Sequence, residues 1–327
     1  MDKMSKRRFL LRVLIVAVIT LMALPAFTGT EAASFPEKEI TMVIPMAPGG
    51  ATDLMFKALG PTLEKALGVP VVFVYKPGGG NAIGWAWLAR QKPDGYTVGA
   101  GTISLPLQQH MATTDLNIDQ FTYIGLVGGV HGALSVRQDS PFKTLKDLVD
   151  YAKKNPGVVT VSNGGTGSSH HVNAAGLEKA AGVKFTHVPF TGGGPSAVAM
   201  LGGHVTAGSS TVGEVFEFVE AGKARILGIP SETRYDLVPD IPTYREQGYD
   251  YVFDSRSGVI APKGVPADVA RILSAAVEKA VRSEQYISTM KNLRMVPAYM
   301  DGKEYADWIY QVTPKLKKIM IDAGVIK

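Results

Sequence analysis

Apolar and polar positions along the chain follow two alternating rhythms. Short runs rich in β-branched and aromatic residues, such as ITMVIP at 40–45 and VVFVY at 71–75, give way to longer stretches with apolar residues three and four apart. The runs predict strands at 40–45, 71–75, 97–100, 133–137, 158–162, 185–188, 205–209, 226–229 and 257–261. Between them the helical rhythm covers 53–67, 83–91, 145–155, 171–181, 196–201 and 212–221. Two helices close the chain. One is opened by Pro266 and runs to about Arg282; the other starts at Gly302, with Pro314 predicting a kink or break. Strands alternating with helices imply an α/β fold with mainly parallel strands.

The N-terminus departs from this rhythm. Lys3, Lys6, Arg7, Arg8 and Arg12 precede an apolar stretch from Val13 to Leu24, and small residues follow around Thr30-Glu31-Ala32. That layout is a secretory signal peptide, residues 1–32, cut after Ala32 or Ala33. A retained membrane anchor is the alternative, but the uninterrupted apolar core is shorter than the roughly 17 residues a span needs. Cutting after Ala32 removes five basic and two acidic residues, so the formal net charge falls from +5 to +2. The remaining basic residues are scattered, without the patch and interleaved aromatics of a nucleic-acid binder. The chain has no cysteine, which excludes disulfides, a thiol nucleophile and Cys-held zinc. These features place the expected site of action in a periplasm-like space.

The roughly 295 residues left after cleavage exceed the usual single core and suggest two domains. No low-complexity linker separates them, so the crossings are expected to be structured, near 125–136 and 252–261. The first domain is then discontinuous, 33–130 plus 255–327, with 131–254 as the second. A two-crossing hinge of this kind suits closure about a ligand.

Four expected strand-to-helix junctions share one composition: APGGATD at 47–53, PGGGNAIG at 77–84, SNGGTGSSHH at 162–171 and PFTGGGPS at 189–196. Two fall in each proposed domain, and none contains a lysine. Ligands of open α/β sheets bind beyond the carboxyl ends of the strands, where all four would lie. Glycine lets a ligand approach the backbone, and a helix start presents unpaired N–H groups and a partial positive charge. Such a cleft suits a carboxylate, with hydroxyls from Thr52, Thr166, Ser168, Ser169 and Thr191 assisting; a polyphosphate would also recruit lysine or Mg²⁺. Taken singly, each loop also reads as a tight βα turn. Asp53 would repel an anion, so its expected role is to stabilise the first helical turn.

Enzyme signatures are missing. No Gly-Lys-Ser/Thr occurs, GGGNAIG misses the dinucleotide spacing at Ile83, and there is neither a Gly-x-Ser-x-Gly elbow nor His-Glu-x-x-His. Adjacent His170 and His171 point apart on a helix, so one is expected to face the cleft while the other packs, and no metal or other cofactor is implied. A secreted hydrolase using Ser168 and His171 is the competing reading. Trp85 and Trp87 are read as core residues.

In order along the chain, FPEKEITMVIPMAPGGATD, VVFVYKPGGGNAIG, KPDGYTVG, FKTLKDLVDYAKKNPG, GTGSSHH, HVPFTGGGPSAVAMLGGHV, IPTYREQGYD and APKGVP resemble the extracytoplasmic solute receptors of tripartite tricarboxylate transporters. The likeness covers essentially the whole mature chain. It implies a type II periplasmic-binding-protein fold: two α/β lobes, a ligand cleft between them and a two-crossing hinge. It also implies a non-enzymatic, monomeric receptor that hands a small carboxylate to membrane permease subunits. The ligand-binding positions it implies are Gly49, Gly50, Ala51, Thr52 and Asp53 in the first loop, and Gly79, Gly80 and Asn81 in the second. Across the cleft they are Asn163, Thr166, Gly167, Ser168, Ser169 and His171, then Thr191, Gly192 and Gly193. Ser104 and Ser210 are further matches. Where many relatives carry an aromatic residue before APKG, this chain reads Asp254-Ser255-Arg256-Ser257-Gly258. Arg256 is therefore either a partner for a distal carboxylate or half of a salt bridge with Asp254 or Asp250. A receptor that signals to a membrane sensor stays open as a further reading.

Overall fold

The computed structural model describes residues 35–111 and 115–327; the expected signal peptide lies outside the described residues. Ten strands form the sheet: β1 (Ile40–Ile44), β2 (Val71–Tyr75), β3 (Thr97–Thr102), β4 (Phe121–Arg137), β5 (Thr160–Asn163), β6 (Thr186–Pro189), β7 (Ala207–Thr211), β8 (Ala224–Gly228), β9 (Asp254–Pro262) and β10 (Val296–Asp301). The helices are α1 (Ala51–Leu67), α2 (Ala82–Ala89), α3 (Ser104–Gln108), α4 (Leu145–Lys154), α5 (Ser169–Ala181), α6 (Gly193–Leu201), α7 (Val212–Glu220), α8 (Ala267–Val281), α9 (Glu284–Asn292) and α10 (Gly302–Asp322). All the expected strands are present; β10, α3 and α9 are additions. Helix α10 continues through Pro314, so the expected break is not present.

The sheet order is β2-β1-β3-β9-β4-β7-β5-β6, with β8 and β10 also pairing to β4. Parallel pairing is confined to β1 with β2 and β3, and to β5 with β6 and β7. Every pair involving β4 or β9 is antiparallel. The expectation of mainly parallel strands is thus corrected to a mixed sheet, because the two strand groups are joined by strands that run against their parallel cores. β4 is the seam. Its residues from Phe121 to His131 pair with β9, and those from Gly132 to Arg137 pair with β7 and β8.

Packing follows the strand alternation. Along β4, Ala133 packs with Met200, Val215 and Ile226 on one face, while Leu134 packs with Leu148, Val161 and Leu177 on the other. Beneath the first strand group, Trp85, Leu88, Phe121, Ile260 and Tyr305 make a third cluster. Trp85 is fully buried and donates its indole N–H to Ala100 O at 2.9 Å. A fourth cluster joins the groups through Leu107, Val172, Phe253 and Leu316 of α10. No helix of the described residues is long and apolar enough to cross a membrane.

Candidate functional site

Each glycine-rich junction is a strand end turned sharply into a helix start. Gly49 takes φ +86°, and Gly50, extended, caps α1 without any side-chain hydrogen bond. After β2, Gly78, Gly79, Gly80 and Asn81 all have positive φ, a run that needs residues tolerant of left-handed backbone. After β5, Ser168 caps α5 by accepting from the His171 backbone N–H at 3.3 Å. After β6, Gly192 precedes α6. A fifth junction joins them after β7: Thr211 and Glu214 form a capping box at the start of α7.

These loops meet across the cleft. The Ala47 N–H donates to Thr191 O at 3.1 Å, Gln108 Nε2 to Thr166 O at 2.9 Å, and the Ser169 N–H to Ser104 Oγ at 2.9 Å. The first N–H of α1, on Ala51, donates to Glu214 Oε1 at 2.8 Å. Glycine is what permits this approach. A Cβ on Gly80 would lie 2.2 Å from Thr166 O, and one on Gly194 would lie 2.9 Å from the Gly49 carbonyl carbon.

Between the loops lies a small, partly open space. About 40 Å³ of it is open to the centre of a water-sized sphere, where about 10–15 Å³ admits one water. Gly50, Ala51, Thr52, Asn81, Ser104, Ser168, Ser169, Gly192 and Gly193 line it, so the structure brings these expected residues together. It adds Thr102, Gly164, His170, Thr211, Glu214, Ser255 and Ser257, with Met46, Met55 and Val130 as apolar wall. Among the described residues, no lysine or arginine lines it.

The other expected positions do not reach the cleft lining. Gly49, Gly79, Gly80 and Gly167 shape the loop backbones, while Thr166 and Thr191 offer their carbonyls to the opposite loops. Asn163 folds its Oδ1 onto the Gly165 N–H at 3.0 Å, and the Ser210 hydroxyl is buried without a hydrogen-bond partner. Asp53 is 1% exposed and held by Tyr75 Oη at 2.6 Å, Lys57 Nζ at 2.9 Å and the Gly49 N–H at 2.8 Å. Its carboxylate secures the first turn of α1 from behind. Arg256 pairs with Asp254 through Nε at 2.8 Å and stacks over Trp308, the arrangement of the salt-bridge reading, and it is not among the residues lining the cleft.

The histidine assignment is also corrected. His170 lines the cleft, with Nε2 3.5 Å from Glu214 Oε2. His171 turns away: its Nδ1 accepts from the Gly167 N–H at 3.1 Å and its ring packs on His187. Burial first, and His187 second, hold its pKa down to about 4. Ser168 Oγ meets the His171 backbone rather than its ring, so the nucleophile–base hydrogen bond of a hydrolase is not formed. The lining residues that sequence reasoning missed carried readable signals. Thr211-Val-Gly-Glu214 has capping-box spacing, and Ser255 and Ser257 share one face of a strand by simple alternation, with Arg256 on the other.

Comparison with known proteins bears on the fold and the family. A protein from Cupriavidus necator, named for its place in the gbd 5′ region, is 33% identical over 99% of both chains. The solved periplasmic binding protein BugD is 28% identical, with a TM-score of 0.85 over 89% of this chain and 99% of its own. MatC from Rhodopseudomonas palustris, solved with bound malate, is 25% identical, with a TM-score of 0.82 over 87% and 99%. The model of the tripartite tricarboxylate transporter family receptor, TctC, matches residues 55–325. A two-lobed α/β chain with its loops closed on a lysine-free cleft, matched over most of its length, belongs to the TctC family of periplasmic solute-binding receptors.

Proposed function

We propose that this receptor captures a small carboxylate between its two strand groups in the periplasm and presents it to the membrane permease subunits of a tripartite tricarboxylate transporter. The observation that carries the reading is the cleft walled by helix starts from both groups. Each helix start contributes about 0.3–1 kcal/mol toward an anion, up to about 2 when partly buried. Micromolar binding needs about 8 kcal/mol. The lining hydroxyls of Thr52, Thr102, Ser104, Ser169, Ser255 and Ser257 supply further contacts, and closure removes competing water. The malate carried by MatC supports the same ligand class.

Titration calorimetry against a panel of mono-, di- and tricarboxylates tests the reading, alongside mass spectrometry of any acid that co-purifies. Saturable one-to-one binding is expected. Absence of heat and of thermal stabilisation with every acid would overturn it. Delivery is tested separately, by uptake of labelled acid into vesicles carrying the permease subunits, which should depend on added receptor.

A further inference from the structure

Glu214 is the lining residue that a plain carboxylate ligand does not account for. Its side chain is 2% exposed and reaches the opposite strand group: Oε1 accepts from the Ala51 N–H at 2.8 Å, and Oε2 accepts from the Thr211 N–H at 2.8 Å. Gly193 leaves room for it, since a Cβ there would lie 1.9 Å from Oε1. A carboxylate has about four acceptor positions, and two are taken by these N–H groups. The nearest side-chain partner is His170, with Nε2 at 3.5 Å from Oε2. No lysine or arginine lines the cleft among the described residues. An acid entering this space therefore meets a fixed carboxylate with spare acceptor positions. Such a group repels a bare anion and bonds a donor.

We infer that Glu214 sets specificity, selecting acids that carry a hydrogen-bond donor, an ammonium or a hydroxyl, on the carbon next to a carboxylate. The inference rests on the carboxylate reading above. Because Oε1 already holds the first N–H of α1, the ligand carboxylate is displaced to neighbouring donors of the helix starts. A donor one carbon away then comes to Glu214. The ammonium gains most, since it also neutralises the buried charge.

Two matched series read this directly: propionate, lactate and alanine, then succinate, malate and aspartate. Calorimetry on the purified protein is expected to show, in at least one series, a donor-bearing acid binding ten-fold or more tighter than its unsubstituted parent. In Glu214→Gln, which keeps a capping-box residue, the preference for the ammonium acid should shrink to under three-fold while the parent acid gains. Parent acids that bind wild type as tightly as their substituted partners would overturn the inference while leaving the carboxylate reading intact. So would an undiminished ammonium preference in Glu214→Gln. No heat from all six acids while another acid of the wider panel binds would overturn the inference alone; no heat from any acid of that panel would overturn the carboxylate reading itself, and the inference with it. The wild-type comparison stands even if the variant does not fold.

Discussion

Asp53 and Glu214 occupy the same place in two helices, the third residue of the first turn, and both are buried. Their environments differ. Asp53 spends its carboxylate inside its own strand group, on Tyr75, Lys57 and Gly49. Glu214 has one oxygen on its own cap and sends the other across the cleft to Ala51. The residue type and the helical position do not separate these roles. Reach does: the longer Glu side chain spans the gap that Gly193 leaves open, whereas Tyr75 and Lys57 close around the shorter Asp. An acid in a first turn is a local tie where its neighbours supply donors, and a bridging element where glycine clears a path.

The comparison breaks most completely if the two strand groups are held apart. Gly80→Ala places a Cβ 2.2 Å from Thr166 O and 2.3 Å from Gln108 Nε2, at φ +63°. The left-handed backbone alone costs about 1–2 kcal/mol, and the cross-cleft contact adds to it only in the closed form. Ligand affinity should fall by about 100-fold or more, roughly 3 kcal/mol, in a protein that still folds. Small-angle scattering should show no ligand-induced compaction. Wild-type affinity in a folded Gly80→Ala protein would contradict the closed geometry as the binding form.

Asp53→Asn sharpens the contrast from the other side. It removes the charge that binds Lys57 and Tyr75, where charge-assisted hydrogen bonds are worth about 1.5–3 kcal/mol each, and Asn retains part of the set. A loss of about 2–3 kcal/mol is expected, read as a melting temperature lower by about 5–10 °C. Affinity measured below the melt should stay within about three-fold. A large affinity loss without a stability loss would move Asp53 from structural tie to ligand contact.

How far the sequence showed these roles depends on the residue. The strand ITMVI, the glycine turn and the helix from Ala51 were legible because an apolar run, a Pro-Gly-Gly and a helical rhythm follow one another without interruption. β4 was recognised only from Ala133 because Gly125, Gly128, Gly129 and Gly132 carry no side chain to display alternation. Those glycines are forced by proximity: a Cβ on Gly128 would lie 2.7 Å from Val296 O. That partner strand, β10, sets Pro297 opposite Gly128, 169 positions further along the chain, and is invisible to a local window. The glycine loops of the cleft were legible as a class, yet which of their residues face inward depends on helix phase, as His170 and His171 show.

That histidine pair supplies a smaller effect. The folded His171 holds its pKa at about 4, below the ordinary value near 6.5. The unfolded chain gains a proton first as pH falls, so stability is complete above about 6.5 and declines between there and about 4. The loss reached at pH 5 is on the order of 2 kcal/mol, and His110 and His131, also lowered mainly by burial, add to it in the same direction. Melting curves at pH 7.5 and 5 should show a drop of several degrees in wild type and a smaller drop in His171→Gln. Equal drops would remove His171 from the acid response.

Arg256 should have the least effect. β9 turns Ser255 and Ser257 into the cleft lining, which places Arg256 on the opposite face, paired with Asp254 and stacked on Trp308 at 5.3 Å from the ring centroid. Asp254 is 56% exposed, and pairs of that kind contribute about 0.2–1 kcal/mol, with the cation–π contact adding roughly 0.5–1. Arg256→Ala should therefore lower the melting temperature by only a few degrees and leave affinity for any acid unchanged. Arg256 and Glu214 are both charged residues, one on β9 and one in the first turn of α7, and the neutralisation that alters specificity should be Glu214→Gln alone. If Arg256→Ala weakened binding of a dicarboxylate more than of its monocarboxylate partner, the arginine would be reaching a distal carboxylate, and strand alternation would have misplaced it.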